Sequence, residues 1–247
     1  MDTILLKTDH LTHAFGSKEA GIFDICLTVS PDDFIVLAGK NGCGKTTLIR
    51  HFNGLLKPDT GQVLLYGQDI EKNLMFARKK IGMVFQDPDT QIIADTVFDE
   101  TAFGPENLNM SREAINEKVN KVLNLLNLGH LRDRNPATLS GGEKRRLAIA
   151  GILVMEPDLI VFDEPFANLD YPSIISLVKL CRKLHQSGHA IVMTTHDVAP
   201  VIALATKLVL MDKGRIISKG DPVSIAPDLE SYGVRNPFTP VAEAWEL

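Results

Sequence analysis

Residues Gly39-Lys40-Asn41-Gly42-Cys43-Gly44-Lys45-Thr46-Thr47 constrain this chain more than any other stretch. They follow a short apolar run, Phe34 to Ala38, and precede a helix candidate from Thr46 to Asn53. A glycine-rich turn between a buried strand and a helix lets backbone N–H groups wrap phosphate oxygens without Cβ clashes, while the helix N-terminus adds partial positive charge. The spacing Gly39-x4-Gly44-Lys45-Thr46 is the phosphate-loop pattern, in which Lys45 reaches the β- and γ-phosphates and the Thr46 hydroxyl faces Mg2+.

Such a loop needs a parallel sheet behind it, and the sequence supplies one. Apolar runs recur at Leu159–Phe162, Ala190–Met193 and Leu208–Met211, each short and several rich in Ile and Val. Runs of that length suit strands buried on both faces, and segments of helical length between several of them make the class α/β. Ile25–Val29 and Val63–Tyr66, with turns at Asp59-Thr60-Gly61 and Tyr66-Gly67, predict an antiparallel piece joined to the main sheet. Asp212-Lys213-Gly214-Arg215 reads as a hairpin turn. The middle reads as helical. Ser111 can cap a helix carrying Ile115, Val119, Val122, Leu123 and Leu126, with Gly129 as its stop. Ser140-Gly141-Gly142-Glu143 fits a capping box.

Leu159-Ile-Val-Phe-Asp163-Glu164 ends an apolar run in two acids, placing them at the sheet edge where ligands bind in open α/β folds. Asp163 can orient Mg2+ or its water, and Glu164 can polarise an attacking water. The net charge of −5 argues against a nucleic-acid partner, which calls for clustered Lys and Arg. Cys26, Cys43 and Cys181 form neither a disulfide framework nor a metal-like spacing, so they read as reduced thiols of a cytoplasmic protein. The N-terminus lacks the pattern of a signal peptide, and the longest apolar stretch, Leu147 to Met155, is short of the roughly 18 residues of a spanning helix.

Leu139-Ser140-Gly141-Gly142-Glu143 closely resembles the LSGGQ signature of ABC ATPases. Gln86, after Ile81–Phe85, resembles their Q-loop, Asn168-Leu169-Asp170 their D-loop, and His196 in Thr194-Thr-His-Asp197 their switch histidine. Order and spacing agree with that family to about residue 220. The resemblance implies a P-loop NTPase with a RecA-like core, an antiparallel β subdomain and an inserted helical subdomain at roughly 87–156. Residues 1–220 would form the ATPase domain, and 221–247 a short C-terminal extension. It implies that ATP and Mg2+ bind, with Phe15 stacking on adenine, Thr46, Gln86 and Asp163 at the metal, and Glu164, His196, Gln86 and Lys45 in hydrolysis. Ser140, Gly141, Gly142 and Asp170 would belong to the nucleotide site too, the signature facing the γ-phosphate held by a second ATPase subunit in a homo- or heterodimer.

Chromosome and repair relatives carry long coiled coils between P-loop and signature, and ribosome-associated relatives carry two cassettes. This chain has neither, which favours transport over a soluble ABC ATPase. Gln86-Asp-Pro-Asp-Thr-Gln91 and Thr96-Val-Phe-Asp-Glu-Thr-Ala-Phe-Gly-Pro105-Glu-Asn-Leu resemble the cobalt and energy-coupling-factor importers. That group implies vitamins or cobalt and nickel ions as cargo. Its partners are a transmembrane coupling protein and a substrate-binding membrane protein, with the ATPase peripheral on the cytoplasmic face. Another ABC importer or exporter ATPase is the alternative. Phe166 and Asn168 depart from the residues many relatives have there, and Cys43 stands where a Ser is usual. A thiol near a helix N-terminus can have a lowered pKa, so Cys43 is expected to react with alkylating agents.

Overall fold

A computed structural model describes residues 4–16 and 20–238. The chain divides into two units, one made of 1–81 and 158–247, the other of Gly82–Pro157.

The first unit carries two sheets. One is antiparallel, ordered β2-β1-β4-β5, from β1 (Leu6–Ala14), β2 (Gly21–Val29), β4 (Thr60–Leu65) and β5 (Gln68–Asp69). The other runs β10-β9-β3-β8-β7, from β3 (Phe34–Ala38), β7 (Leu159–Asp163), β8 (Ala190–Thr195), β9 (Lys207–Asp212) and β10 (Arg215–Gly220). β3 pairs in parallel with both β8 and β9, and β7 in parallel with β8. Every residue of β3, β7 and β8 is buried, as continuous apolar runs require. Helices α1 (Lys45–Phe52) and α6 (Tyr171–Gln186) follow β3 and β7, the arrangement of an α/β sheet. Parallel pairing puts the ends of β3, β7 and β8 on one edge, because Ala38 pairs with Thr195 and Asp163 with Thr194.

The β9–β10 turn is the expected hairpin. Lys213 and Gly214 both have positive φ, 44° and 73°, as a two-residue hairpin loop demands. Its tip braces the phosphate loop, since Gly214 N–H donates to Cys43 O at 2.9 Å and Phe23 N–H to Gly214 O at 2.8 Å. The antiparallel sheet is larger than the sequence runs suggest. β2 starts at Gly21 and β4 ends at Leu65, where Tyr66 turns away at φ 51°. Beyond β10, α7 (Pro222–Ile225) and a 3-10 segment, Ala226–Tyr232, end at Gly233.

The chain leaves the first unit through α2 (Leu74–Lys80) and β6 (Ile81–Val84). The second unit is helical, with α3 (Val97–Asn107), α4 (Arg112–Leu125) and α5 (Gly141–Leu153). Thr96, Ser111 and Ser140 each cap the helix that follows through a side-chain oxygen. α4 ends at Leu125, ahead of the expected stop at Gly129, which instead opens a 3-10 turn, Gly129–Leu131. α3 has no counterpart among the sequence expectations, and Pro105 lies inside it near its C-terminal end.

Candidate active site

The loop after β3 is shaped by Gly39, Gly42 and Gly44, all at positive φ, a backbone that favours glycine. Gly44, the N-cap of α1, has φ 105°, and a Cβ there would stand 2.8 Å from Ile22 Cγ2. A Cβ on Gly39 would collide with the carbonyl oxygen of Met211. Lys45 is 5% exposed, and its ammonium donates to Gly39 O at 2.7 Å and Lys40 O at 3.2 Å.

The acids after β7 meet this loop. Thr46 Oγ1 donates to Asp163 Oδ1 at 2.9 Å. Glu164, 8% exposed, places Oε1 3.2 Å from Lys45 Nζ and Oε2 2.9 Å from His196 Nδ1. His196 backbone N–H also donates to Oε2 at 3.3 Å. Glu164 holds φ 43°, an uncommon backbone for a residue with a Cβ, of the sort found at functional sites.

Thr194 escapes sequence reasoning. It is fully buried on β8, donates from Oγ1 to Asp163 Oδ1 at 2.8 Å, and accepts the Glu164 N–H at 2.9 Å. One hydroxyl therefore aims both acids. The only hint in the sequence is its place two residues before His196.

Phe15 is 48% exposed just past β1, with the His13 ring edge-on at 4.6 Å. His13 Nδ1 lies 2.9 Å from Lys57 O, and Ala14 N–H donates to Asp59 Oδ2 at 2.7 Å, so the Phe15 turn is anchored. Asp170 caps α6 by accepting the Ser173 N–H at 3.0 Å, and the Ser173 hydroxyl, followed by that N–H, lowers its pKa. Cys43 corrects an expectation. It is 5% exposed, and burial raises its pKa against the opposing pull of Lys45, so the helix N-terminus does not make it a thiolate.

In the second unit Ser140 closes the capping box, with its N–H and hydroxyl both 2.8 Å from Glu143 Oε2. Those hydrogen bonds lower the Glu143 pKa. Gly141 has nothing within 4 Å of where a Cβ would be, so the start of α5 is open. Gln86 is exposed, and its carbonyl accepts from Arg145 of α5 at 3.3 Å. The segment after it is held by two side chains that the sequence reading did not single out. Gln91 accepts the Phe85 N–H at 3.1 Å and donates to Met83 O at 3.2 Å. The buried Glu100 carboxylate accepts the N–H groups of Ile93 and Ala94 at 2.8 and 2.9 Å.

A glycine loop ahead of a helix, with two acids ending a nearby parallel strand, defines a P-loop nucleoside triphosphatase. The ABC transporter family profile matches residues 22–167. The energy-coupling factor transporter ATP-binding protein EcfA of Methanoculleus marisnigri is 42% identical over 229 residues, 91% of this chain and 83% of the relative. The cobalt import ATP-binding protein CbiO of Rhodobacter capsulatus is 38% identical over 242 residues, 96% of this chain and 86% of the relative. The solved structure of cbiO1 from Clostridium perfringens, part of the ABC transporter complex cbiONQ, superposes with a TM-score of 0.83 at 33% identity, covering 94% of this chain and 93% of that one. The chain belongs to the ABC transporter family as an ATP-binding subunit of the energy-coupling-factor type. It binds and hydrolyses ATP, and the hydrolysis is coupled to membrane transport. Among the described residues no helix is long and apolar enough to cross a membrane.

Proposed function

We propose that this subunit drives import of a vitamin or of cobalt or nickel ions from the cytoplasmic face of the membrane, bound peripherally to a transmembrane coupling protein and a substrate-binding membrane protein. The names of the relatives support this cargo class, since one is a cobalt import protein and others are energy-coupling factor subunits. The segment from Gln86 to Pro105 would receive the membrane partner, and its fixing by Gln91 and Glu100 suits a docking surface that must transmit force.

The observation that carries the catalytic reading is the Glu164 carboxylate held between Lys45 and His196. The N–H groups of Gly39 to Thr47 hold the triphosphate, Lys45 neutralises its β- and γ-oxygens, and Phe15 stacks on adenine. Thr46 and Asp163 offer adjoining hard oxygens 2.9 Å apart, a donor pair that fits Mg2+. These two residues would hold the ion with Gln86, and it would neutralise charge on the phosphates. Glu164 accepts the proton of the attacking water as its oxygen bonds to the γ-phosphorus and the bond to the ADP oxygen breaks. His196 fixes the carboxylate and contacts the γ-phosphate. Ser140, Gly141 and Gly142 of a second subunit close the site at an open helix N-terminus, with Asp170 beside the same junction.

Complementation tests the shared site. Lys45→Ala and Ser140→Arg subunits should each be inactive alone. Mixed, they form dimers in which one site combines an intact phosphate loop with an intact signature, and hydrolysis should return. Two folded variants that never regain activity on mixing would overturn the shared site.

A further inference from the structure

β1 and β2 are interrupted by facing irregularities. Thr8 pairs with Leu27 and Leu11 with Ile25, so Asp9 and His10 together oppose Cys26. Leu11 pairs with Ile25 and His13 with Ile22, so Phe23 and Asp24 together oppose Thr12. Two residues against one is a β-bulge, and bulges re-aim side chains. The bulged residues His10 and Asp24 have φ 49° and 57°. The result is a cluster in which ligand atoms of His10, Asp24 and Cys26 all lie within 4.8 Å of one another.

Within it, His10 Nδ1 lies 2.6 Å from Asp24 Oδ1, and His10 backbone N–H donates to Cys26 Sγ at 3.3 Å. Asp24 N–H donates to Thr12 Oγ1 at 2.9 Å, which fixes the second bulge. The ion pair joins two of the three groups, and Cys26 Sγ, held by the His10 N–H, lies within 4.8 Å of the ligand atoms of both. None of the three serves the nucleotide site. Both His10 and Asp24 are exposed, so an ion has an open path and room for a water ligand.

We infer that His10, Asp24 and Cys26 form a binding site for a borderline-soft divalent ion such as Zn2+, Co2+ or Ni2+, with water as the fourth ligand. Imidazole, thiolate and carboxylate together suit these ions, whereas Mg2+ takes oxygen donors in an octahedral shell. Ligands about 2.0–2.3 Å from a tetrahedral ion stand roughly 3.3–3.8 Å apart, which the exposed His10 and Asp24 side chains reach by small rotations toward Cys26. The ion would join β1 to β2 four residues before Ala14 and so clamp the strand that leads to Phe15.

Co2+ is the probe. One equivalent added to the reduced, chelator-stripped full chain without nucleotide should give thiolate-to-cobalt charge-transfer absorption, and Zn2+ should displace it. Cys26→Ser should abolish that absorption. His10→Asn and Asp24→Asn, which keep a residue tolerant of positive φ, should weaken binding at least about tenfold. Zn2+ should raise the melting temperature of the parent chain and not of Cys26→Ser, because only the folded state holds the three ligands together. Fluorescent-ATP binding checks that each variant is folded. Absence of charge-transfer absorption, or its persistence in Cys26→Ser, overturns the site.

Discussion

Nδ1 of His196 lies 2.9 Å from Oε2 of Glu164, while the other oxygen of that carboxylate lies 3.2 Å from Nζ of Lys45. The carboxylate is thus oriented from both ends in a buried position, where charge interactions are stronger than in water. Glu164→Gln keeps the shape and removes the proton acceptor. Its hydrolysis should fall at least about 100-fold, the lower end for loss of a general base, while ATP binding persists. Single-turnover phosphate release beside fluorescent-nucleotide titration checks this, and turnover equal to the parent would sink the assignment.

Thr194 gives a second test, because its hydroxyl joins Asp163 Oδ1 to the Glu164 N–H. Thr194→Val preserves shape and leaves that buried N–H without its partner, a loss of about 1–3 kcal/mol of stability. The expected kinetic signature is a lower kcat with KM for ATP changed much less, since Lys45 and the loop glycines are untouched. A variant that loses stability yet keeps the parent kcat would show that Thr194 supports the fold alone.

Local spacing made the phosphate loop, the acids after β7, the Ser140 capping box and the hairpin at Lys213-Gly214 legible in the sequence. Each is written within a few residues, and the backbone there obeys the chemistry of those residues. β1 was not legible, because the irregularities around Asp9 and His10 break the alternation that announces a strand. α3 was hidden because Gly104 and Pro105 are residue types that favour turns over helix interiors, although the helix tolerates them near its end. Thr194 and Cys43 depend on tertiary neighbours. The hydroxyl meets acids about thirty residues away, and the thiol is enclosed beside the β9–β10 turn, which no local pattern encodes.

Thiol labelling follows from that enclosure. Cys43 is buried with a raised pKa, and Cys181 is fully buried with its pKa pushed up to about 12, both chiefly by burial. Cys26 is half-buried. Because the thiolate is the nucleophile, a maleimide-free alkylating agent such as iodoacetamide at neutral pH should modify Cys26 first. Cys43 and Cys181 should label only in urea. Peptide mass spectrometry gives the order, and early labelling of Cys43 in the folded chain would contradict it.

His51 sets an acid limit on stability. Its side chain is buried in α1, with Nδ1 2.8 Å from Thr47 O and its ring 5.0 Å from that of His13. Nε2 has no hydrogen-bond partner among the described residues. Burial lowers the His51 pKa, against the opposing effect of the Thr47 carbonyl. Below about pH 6.5 the unfolded chain takes up a proton that the folded imidazole resists, so stability falls as pH drops from there through the folded value. His10 acts in the opposite sense, since Asp24 raises its pKa, and it is common to parent and variant. The comparison of the parent with His51→Phe therefore isolates His51. Urea unfolding between about pH 7.5 and 5.5 should show a steeper loss of stability in the parent than in His51→Phe. Equal slopes in the two proteins would mean that His51 is free to protonate in the folded state.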